Sequence, residues 1–529
     1  MTVRRSGRLG AHGAVSTLGN TIFKKILPNS DKPRVYGRRL ALKTNNQRFG
    51  DRCQHEDAIM ENSADTKATW LDGNKIERVL ESCSREDAAR VRDVLAKAGE
   101  LKGLSLSDVA VLMGVSSPEL TAELYHTAKA AKEEIYGNRI VLFAPLYISN
   151  LCSNECLYCA FRKSNTQVTR RALSRDEIIE ETKIILRQGH KRVLMVAGEA
   201  YPGGGIDYVL DSIDAIYEAR EGGSNIRRVN VNLAPLSVED FRRLQERHIG
   251  TFQLFQETYH RPTYEKVHLS GPKRDLDWRA SSFDRAMLAG IDDVGMGLLY
   301  GLYDWRYETL ALMMHIAHLE ERFGVGCHTI SVPRIEPAIG SDLASRPPYA
   351  VSDENFLKLV AILRLAVPYT GLIMSTRENA AIRAFTLELG VSQISAGSRT
   401  NPGGYKEDSR FEAAQFQLGD HRSLAEVVKD LGDHGFIPSF CTGCYRLGAR
   451  ARISWTSPNQ VSSRPNARPT RFPPLRNTCW TTPTRTRAWR AKGPSPPRWT
   501  AWRHAPVASR KVFFPRCAPV SGTFTASIL

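Results

Sequence analysis

Cys152, Cys156 and Cys159 stand in a C-x3-C-x2-C spacing directly after an apolar, β-branched run at residues 140–148. Three thiolates at this spacing, with no fourth nearby, can hold three corners of a [4Fe–4S] cube and leave one iron bare. Four-cysteine patterns instead saturate the irons and suit electron transfer. A bare iron suits a cofactor that binds the metal directly. A zinc knuckle would need a fourth Cys or His at short spacing, and the nearest histidines are His126 and His190. The ten cysteines spread over 529 residues are no secreted disulfide framework. A cluster site also needs reduced thiols, so a reducing, low-oxygen compartment is expected.

Other polar residues close apolar runs further along. Ala197-Gly198-Glu199 follows one such run, and its glycine lets backbone polar groups approach a ligand closely. Asn232 ends another, and Glu257 lies in the dense polar group Gln256-Glu257-Thr258-Tyr259-His260 behind a third. Ser375 and Arg377, two apart, can both bind a carboxylate, the arginine bidentately. That suits an amino acid held by its head group. The competing reading is a helix cap with a surface ion pair.

Strand-like segments must position these groups. They fall at 140–147, 192–197, 227–233, 251–256, 292–297, 328–332, 370–375 and 392–396. Amphipathic helices are expected at 174–188, 206–221, 237–247, 282–290, 307–323, 353–367 and 378–389. This alternation predicts an α/β fold, a (β/α)8 barrel of the TIM type, with its chemistry at the carboxyl ends of the strands. A helical region precedes it. Ile76, Val79, Leu80, Ala88, Val91, Val94 and Leu95 recur at helical spacing, Ser105 and Asp108 form a start signal, and a further helix covers 119–135.

The formal net charge of +17 invites a nucleic-acid reading, but it lies at the ends. Residues 1–50 hold eleven Lys/Arg against Asp31, and residues 451–529 hold fourteen with no acid, so the remaining body carries 17 − 10 − 14 = −7. No nucleic-acid partner is expected, and no run reaches the ~18 apolar residues of a membrane span. The expected organisation is a basic leader or mis-started upstream stretch at 1–65, with Met60 a candidate start, and helices at 66–138. The barrel follows at 139–435, then the start of a second cysteine segment at 436–450 and a tail at 451–529. The leader reads equally as a transit peptide, so the location is cytoplasmic, or organellar if the leader is real.

The cysteine spacing followed by Ala160-Phe161-Arg162 resembles the radical S-adenosylmethionine (SAM) enzymes. In that family SAM chelates the free iron, and one electron splits it into methionine and an adenosyl radical. The strings FQETYHRPTYEKVHLSGPKRD, IDDVGMGLLYGLYDWR, HLEERFGVGCHTISVPR and FIPSFCTGCYRLG are similar to those of the tyrosine-cleaving maturases of [FeFe]-hydrogenase, the HydG family, from about Trp70 to Gly448. The resemblance implies SAM contacts from Tyr158, Phe161, Ala197, Gly198, Glu199, Asn232, Glu257 and Arg285. It implies L-tyrosine held through Ser375 and Arg377 and cleaved to p-cresol and dehydroglycine, the source of CO and cyanide. A second C-terminal cluster, on Cys441 and Cys444, would carry a fifth iron on a histidine at the far end of the barrel; His318 is the choice and His315 the alternate. A ferredoxin or flavodoxin as reductant and other hydrogenase maturation proteins are the implied partners.

The family's second motif needs a third cysteine at position 467, which is alanine, and Cys479 lies twelve residues too far. The tail also has five of the eight tryptophans, no acids and no period of helix or strand, a composition poorly suited to a packed core. A lost base accounts for both. Codons allowed by residues 452–461 read DFMDLAKPG one frame over, those from Asn466 onward CAPNALSTF, and those around 475–483 EEYLLDYA. One base restored near residues 449–452 returns a cysteine at 467 and C-x2-C-x22-C. The remaining alternatives are a thiamine-thiazole-type tyrosine lyase, which lacks the second motif, a non-catalytic iron–sulfur protein, and the product of a decayed gene.

Overall fold

A computed structural model describes residues 67–83, 85–407 and 414–440. The leader at 1–65, the tail at 451–529, and Cys441 and Cys444 lie outside the described residues.

Eight parallel strands form the barrel. They are β1 (Arg139–Ser149), β2 (Arg192–Ala197), β3 (Arg228–Asn232), β4 (Phe252–Glu257), β5 (Val294–Leu298), β6 (Thr329–Ser331), β7 (Gly371–Met374) and β8 (Gln393–Ser395). Neighbours in sequence pair in register, and β8 returns to β1 with Val141 opposite Gln393, which closes the sheet and removes its edges. All eight expected segments are strands, most trimmed by a residue or more at their ends. The central strand is β1: eleven residues long, buried beyond Arg139, and paired with β2, β8 and β9 (Ile437–Ser439). The short β9 joins β1 at Arg139–Val141, its amino end, opposite the cysteine loop.

Connecting helices start where the side chains can satisfy free N–H groups. Ser174 caps Arg175–Gln188 with Glu177 in a reciprocal capping box, and Ser352 and Asn379 cap Asp353–Ala366 and Ala380–Leu389. The helix expected at 206–221 stops at Glu218, because Arg220–Glu221 and Ser224–Asn225 form a small hairpin. In the N-terminal region, the run from Ile76 to Leu95 divides into Gly73–Ser82 and Ala88–Ala98. Asp87 restarts the helix by accepting from the Ala89 and Arg90 N–H groups. Ser105 and Asp108 form the expected capping box of Leu106–Met113, and Ser117 opens Pro118–Tyr136. Gly73–Ser82, Leu106–Met113 and Pro118–Tyr136 pack against the barrel helices Trp305–Phe323 and Asp353–Ala366, and Ala88–Ala98 packs on the latter two of these three.

Arg364 shows how the barrel floor is held. It is fully buried, and its guanidinium donates to the carbonyls of Gly390 (2.6 Å), Pro368 (2.8 Å) and Thr370 (3.0 Å) while lying over the Tyr136 ring. Arg364→Met keeps the bulk and strands these acceptors. The expected loss is about 2–4 kcal/mol of stability, read as a lower urea midpoint with an unchanged slope.

Candidate active site

The cysteine loop leaves the carboxyl end of β1 and is held from two sides. On one side Arg170 donates to the carbonyls of Asn150 (2.9 Å), Phe161 (2.8 Å), Arg162 (2.5 Å) and Asn165 (3.2 Å), so a single side chain gathers both ends of the loop. On the other, the segment 267–271 runs alongside as backbone: Leu157 N–H donates to Val267 (3.0 Å), Glu155 N–H to Ser270 (3.0 Å) and Leu269 N–H to Glu155 (2.9 Å). Gly271 makes this approach possible. Its φ is +89°, and a Cβ there would lie 2.4 Å from Asn154 Oδ1.

Cys152, Cys156 and Cys159 are free thiols that line one cavity with Tyr158, Phe161, Ala197, Gly198, Glu199, Asn232, Glu257, Ser375 and Arg377. The cavity encloses about 1370 Å³, its open mouth included. The structure therefore brings together in one place most of the residues singled out from the sequence. Burial pushes all three thiols up, Cys159 to about 11, which disfavours thiolate unless a cation joins them. Among the described residues no three His, Cys, Asp or Glu side chains converge to hold one metal ion. A cube, which takes each thiolate on a separate iron, fits these residues better than a zinc ion. The Tyr158 hydroxyl lies 2.8 Å from His268 Nε2, and His268 Nδ1 lies 2.9 Å from the Tyr264 carbonyl. A carbonyl only accepts, so Nδ1 carries the hydrogen and Nε2 accepts from Tyr158.

Beside the cysteines lies a buried group of four charges. Arg279 donates to Glu199 (3.0 Å), Lys273 Nζ reaches Glu257 (2.7 Å) and stands 3.8 Å from Glu199, and Asn154 donates to Glu199 (2.8 Å). Burial alone would raise the Glu199 carboxyl, but Arg279 and Lys273 hold it below its usual range. Glu257 sits at φ +71°, a left-handed conformation that is uncommon for glutamate. Gly198 also has a specific reason. A Cβ there would lie 2.2 Å from the Leu151 carbonyl oxygen, so glycine lets the end of β2 touch the cysteine loop.

On the opposite wall Arg377 has no carboxylate within 4 Å among the described residues, and its guanidinium stacks 3.3 Å from the centre of the Phe416 ring. Burial lowers its pKa. Gln415 accepts from the Tyr147 hydroxyl (2.7 Å) and donates toward Cys159 Sγ (3.8 Å), linking this wall to the cysteine loop.

Three expected residues are placed elsewhere. Arg285 does not line the cavity: it stacks on Trp278 and donates to Leu236 O (2.8 Å), Ser281 Oγ (2.8 Å) and Trp278 O (2.7 Å), while Arg279 faces the site instead. His318 and His315 lie on the helix Trp305–Phe323, outside the strands, with both rings stacked on Trp70. His318 Nε2 meets Asp284 Oδ1 (2.7 Å) and His315 Nδ1 meets the Tyr259 hydroxyl (2.7 Å), with burial pulling His315 down to about 3. The residues missed from sequence, Lys273, Arg279, Tyr147, Gln415 and Phe416, carry one local signal: the basic cluster in GPKRD just after HLS.

The Radical SAM superfamily model matches residues 146–315, and the Biotin and Thiamin Synthesis associated domain matches residues 331–437. The crystal structure of HydG, a maturase of the [FeFe]-hydrogenase, aligns at 49% identity and a TM-score of 0.70, covering 72% of this chain and 83% of that one. The FeFe-hydrogenase maturase HydG from Carboxydothermus hydrogenoformans aligns at 45% identity and 0.65, covering 71% and 85%. Among curated proteins, 2-iminoacetate synthase of Escherichia coli is 31% identical over 336 residues, 63% of this chain and 86% of its own length. No described helix is long and apolar enough to cross a membrane. Together with the three-cysteine cavity at the mouth of a parallel barrel, these likenesses show that the chain belongs to the HydG family of radical SAM [FeFe]-hydrogenase maturases.

Proposed function

We propose that the chain is an L-tyrosine lyase that yields p-cresol and dehydroglycine, the latter a source of CO and cyanide for hydrogenase assembly. The observation that carries this reading is Arg377. Its guanidinium has no carboxylate within 4 Å among the described residues, so it lacks an ion-pair partner, and it lines the same cavity as the three cysteines. An anionic ligand between them supplies the missing partner.

Cys152, Cys156 and Cys159 would hold a [4Fe–4S] cluster, which with SAM supplies one-electron cleavage to a radical that removes a hydrogen atom. The protein's part is placement. Gly198, Glu199 and Asn232 border the side of the cavity next to the cysteines, while Glu257, Lys273 and Arg279 offer both signs of charge to a zwitterionic cofactor tail and ribose hydroxyls. Ser375 and Arg377 hold the tyrosine carboxylate on the far wall, and Phe416 fixes the guanidinium plane. The reductant is a low-potential carrier of the ferredoxin or flavodoxin kind, the compartment is anaerobic, and other maturation proteins take the product.

A second cluster on Cys441 and Cys444, with a fifth iron on His318 or His315, belongs to the same reading. Its support is the CTGC motif, the cysteine recovered at 467 in the shifted frame, and β9, which brings the chain to the barrel floor just before Cys441. With two of three cysteines, the literal polypeptide cleaves tyrosine but does not build the iron–CO–cyanide product. Likeness to 2-iminoacetate synthase favours a second reading, tyrosine cleavage without iron delivery, and the CTGC motif weighs against it.

Three outcomes test this. Arg377→Lys raises the KM for L-tyrosine by about 10- to 100-fold, the range of a charged bidentate contact, measured by p-cresol release. Gly198→Ala forces β2 and the cysteine loop apart and weakens SAM binding by about 10-fold or more, measured by calorimetry on cluster-reconstituted protein. The 529-residue chain makes p-cresol without iron-bound CO bands in the infrared, and restoring one base at codons 449–452 brings those bands back. Normal CO delivery from the literal chain, or DNA across codons 440–485 that reads as given in relatives that deliver CO, overturns the frame reading.

A further inference from the structure

The charges on the tyrosine-facing wall do not balance pairwise, and the imbalance has a pattern. Strands β6 and β7 are neighbours, with Ser331 opposite Ile373, so the turns leaving them sit side by side at the carboxyl end of the barrel. Four charged residues occupy these turns: Arg334 and Glu336 after β6, Arg377 and Glu378 after β7. Two are committed to each other. Arg334 grips the buried Glu378 with two hydrogen bonds (2.9 and 2.5 Å) and also reaches Asp353 (2.8 Å) and the Val351 carbonyl (2.9 Å). The other two are left over. Among the described residues Glu336 makes no hydrogen bond or ion pair, Arg377 has no carboxylate partner, and both line the cavity.

We propose that Glu336 is a substrate-binding and catalytic residue: it receives the ammonium of the amino acid whose carboxylate Arg377 holds, and takes one proton from it. This rests on the tyrosine-lyase reading and deepens it. A leftover cation and a leftover anion on adjacent strand ends match an α-amino acid zwitterion, whose two charged groups are joined through one carbon. Neither a peptide nor a des-amino acid presents that pair. The proton step balances simply: an N–H bond of the ammonium breaks, its electron pair stays on nitrogen, and an O–H bond forms on Glu336. The amine is then neutral before a hydrogen atom is taken from it, because loss of a hydrogen atom from an already cationic nitrogen would place charge and unpaired electron on the same atom. Burial and the nearby Glu378 push the Glu336 carboxyl up to about 7, against the lowering effect of Arg377 and Arg334, so it holds a proton better than an ordinary carboxylate.

The test uses the full, cluster-reconstituted chain under argon, titrated by calorimetry with L-tyrosine and with 3-(4-hydroxyphenyl)propanoate, which differs in lacking the amine. The wild type should prefer L-tyrosine by about 10-fold or more, the scale of a charged hydrogen bond. Glu336→Gln should shrink that gap to less than about 3-fold and depress p-cresol formation at saturating tyrosine, while Glu336→Asp, which keeps the charge, should retain the gap. An undiminished preference in Glu336→Gln overturns the assignment and leaves the tyrosine-lyase reading standing. Failure of the wild type to bind L-tyrosine at all overturns that reading and this inference together. Should Glu336→Gln not fold, equal wild-type affinities for the two ligands are enough to reject the role of Glu336.

Discussion

Two acids and two bases buried against one another set the shape of the barrel mouth. Glu199 ends the turn after β2, Glu257 ends β4, and Lys273 and Arg279 come from the two short helical turns just after the segment that runs beside the cysteine loop. Removing any one leaves an uncompensated charge in a low-dielectric place, at a cost of several kcal/mol. The four therefore act as one unit that ties two strand ends to the loop carrying the thiols. The strain at Glu257, of order 1–3 kcal/mol for such a conformation, is sustained in the same way. Lys273 fixes its carboxylate, and the buried Glu308 accepts the Tyr259 N–H (2.7 Å) and the Thr258 hydroxyl just beyond it.

What the chain reveals before folding is what it encodes locally. The cysteine spacing, the glycine at 198 and the alternation of strand and helix are short-range patterns, and each stands where the pattern put it. The start at Asp87 was equally local, an Asx cap within SRED, yet the longer apolar period masked it. Arg285 and Arg279 illustrate the opposite case. They lie six residues apart in consecutive short helices of similar composition, and only the packing of Trp278 and the Leu236 carbonyl decides which guanidinium is consumed by backbone and which reaches Glu199. Glu336 was illegible for the same reason, and the basic cluster around Lys273 marked a charge without showing which carboxylate it would meet. Whether a charge is spent or available depends on partners far away in sequence, as Arg334 and Glu378 show for Glu336.

The two walls of the cavity divide the labour by charge. The wall at β1 to β4 is close to neutral, with Glu199 and Glu257 offset by Lys273 and Arg279, and suits a ligand that is itself balanced. The wall at β6 and β7 exposes separate opposite charges and suits a ligand with separated ones. Gln415 and Phe416 bridge the walls through Tyr147, Cys159 and Arg377, so a shift on one side is felt by a side chain on the other. That direct connection explains why so many unrelated stretches of sequence converge on one volume.

The pairing of β9 with the first residues of β1 has a practical corollary for damaged copies of this gene. Every strand of the described barrel is encoded by Ser439, so a change of reading frame after that residue leaves the sequence of the sheet intact. A lesion further downstream alters none of the cysteine loop, the charged group beside it or the substrate wall, all of which are encoded before it. Such a copy would persist unnoticed until someone asked whether its product ever leaves the enzyme.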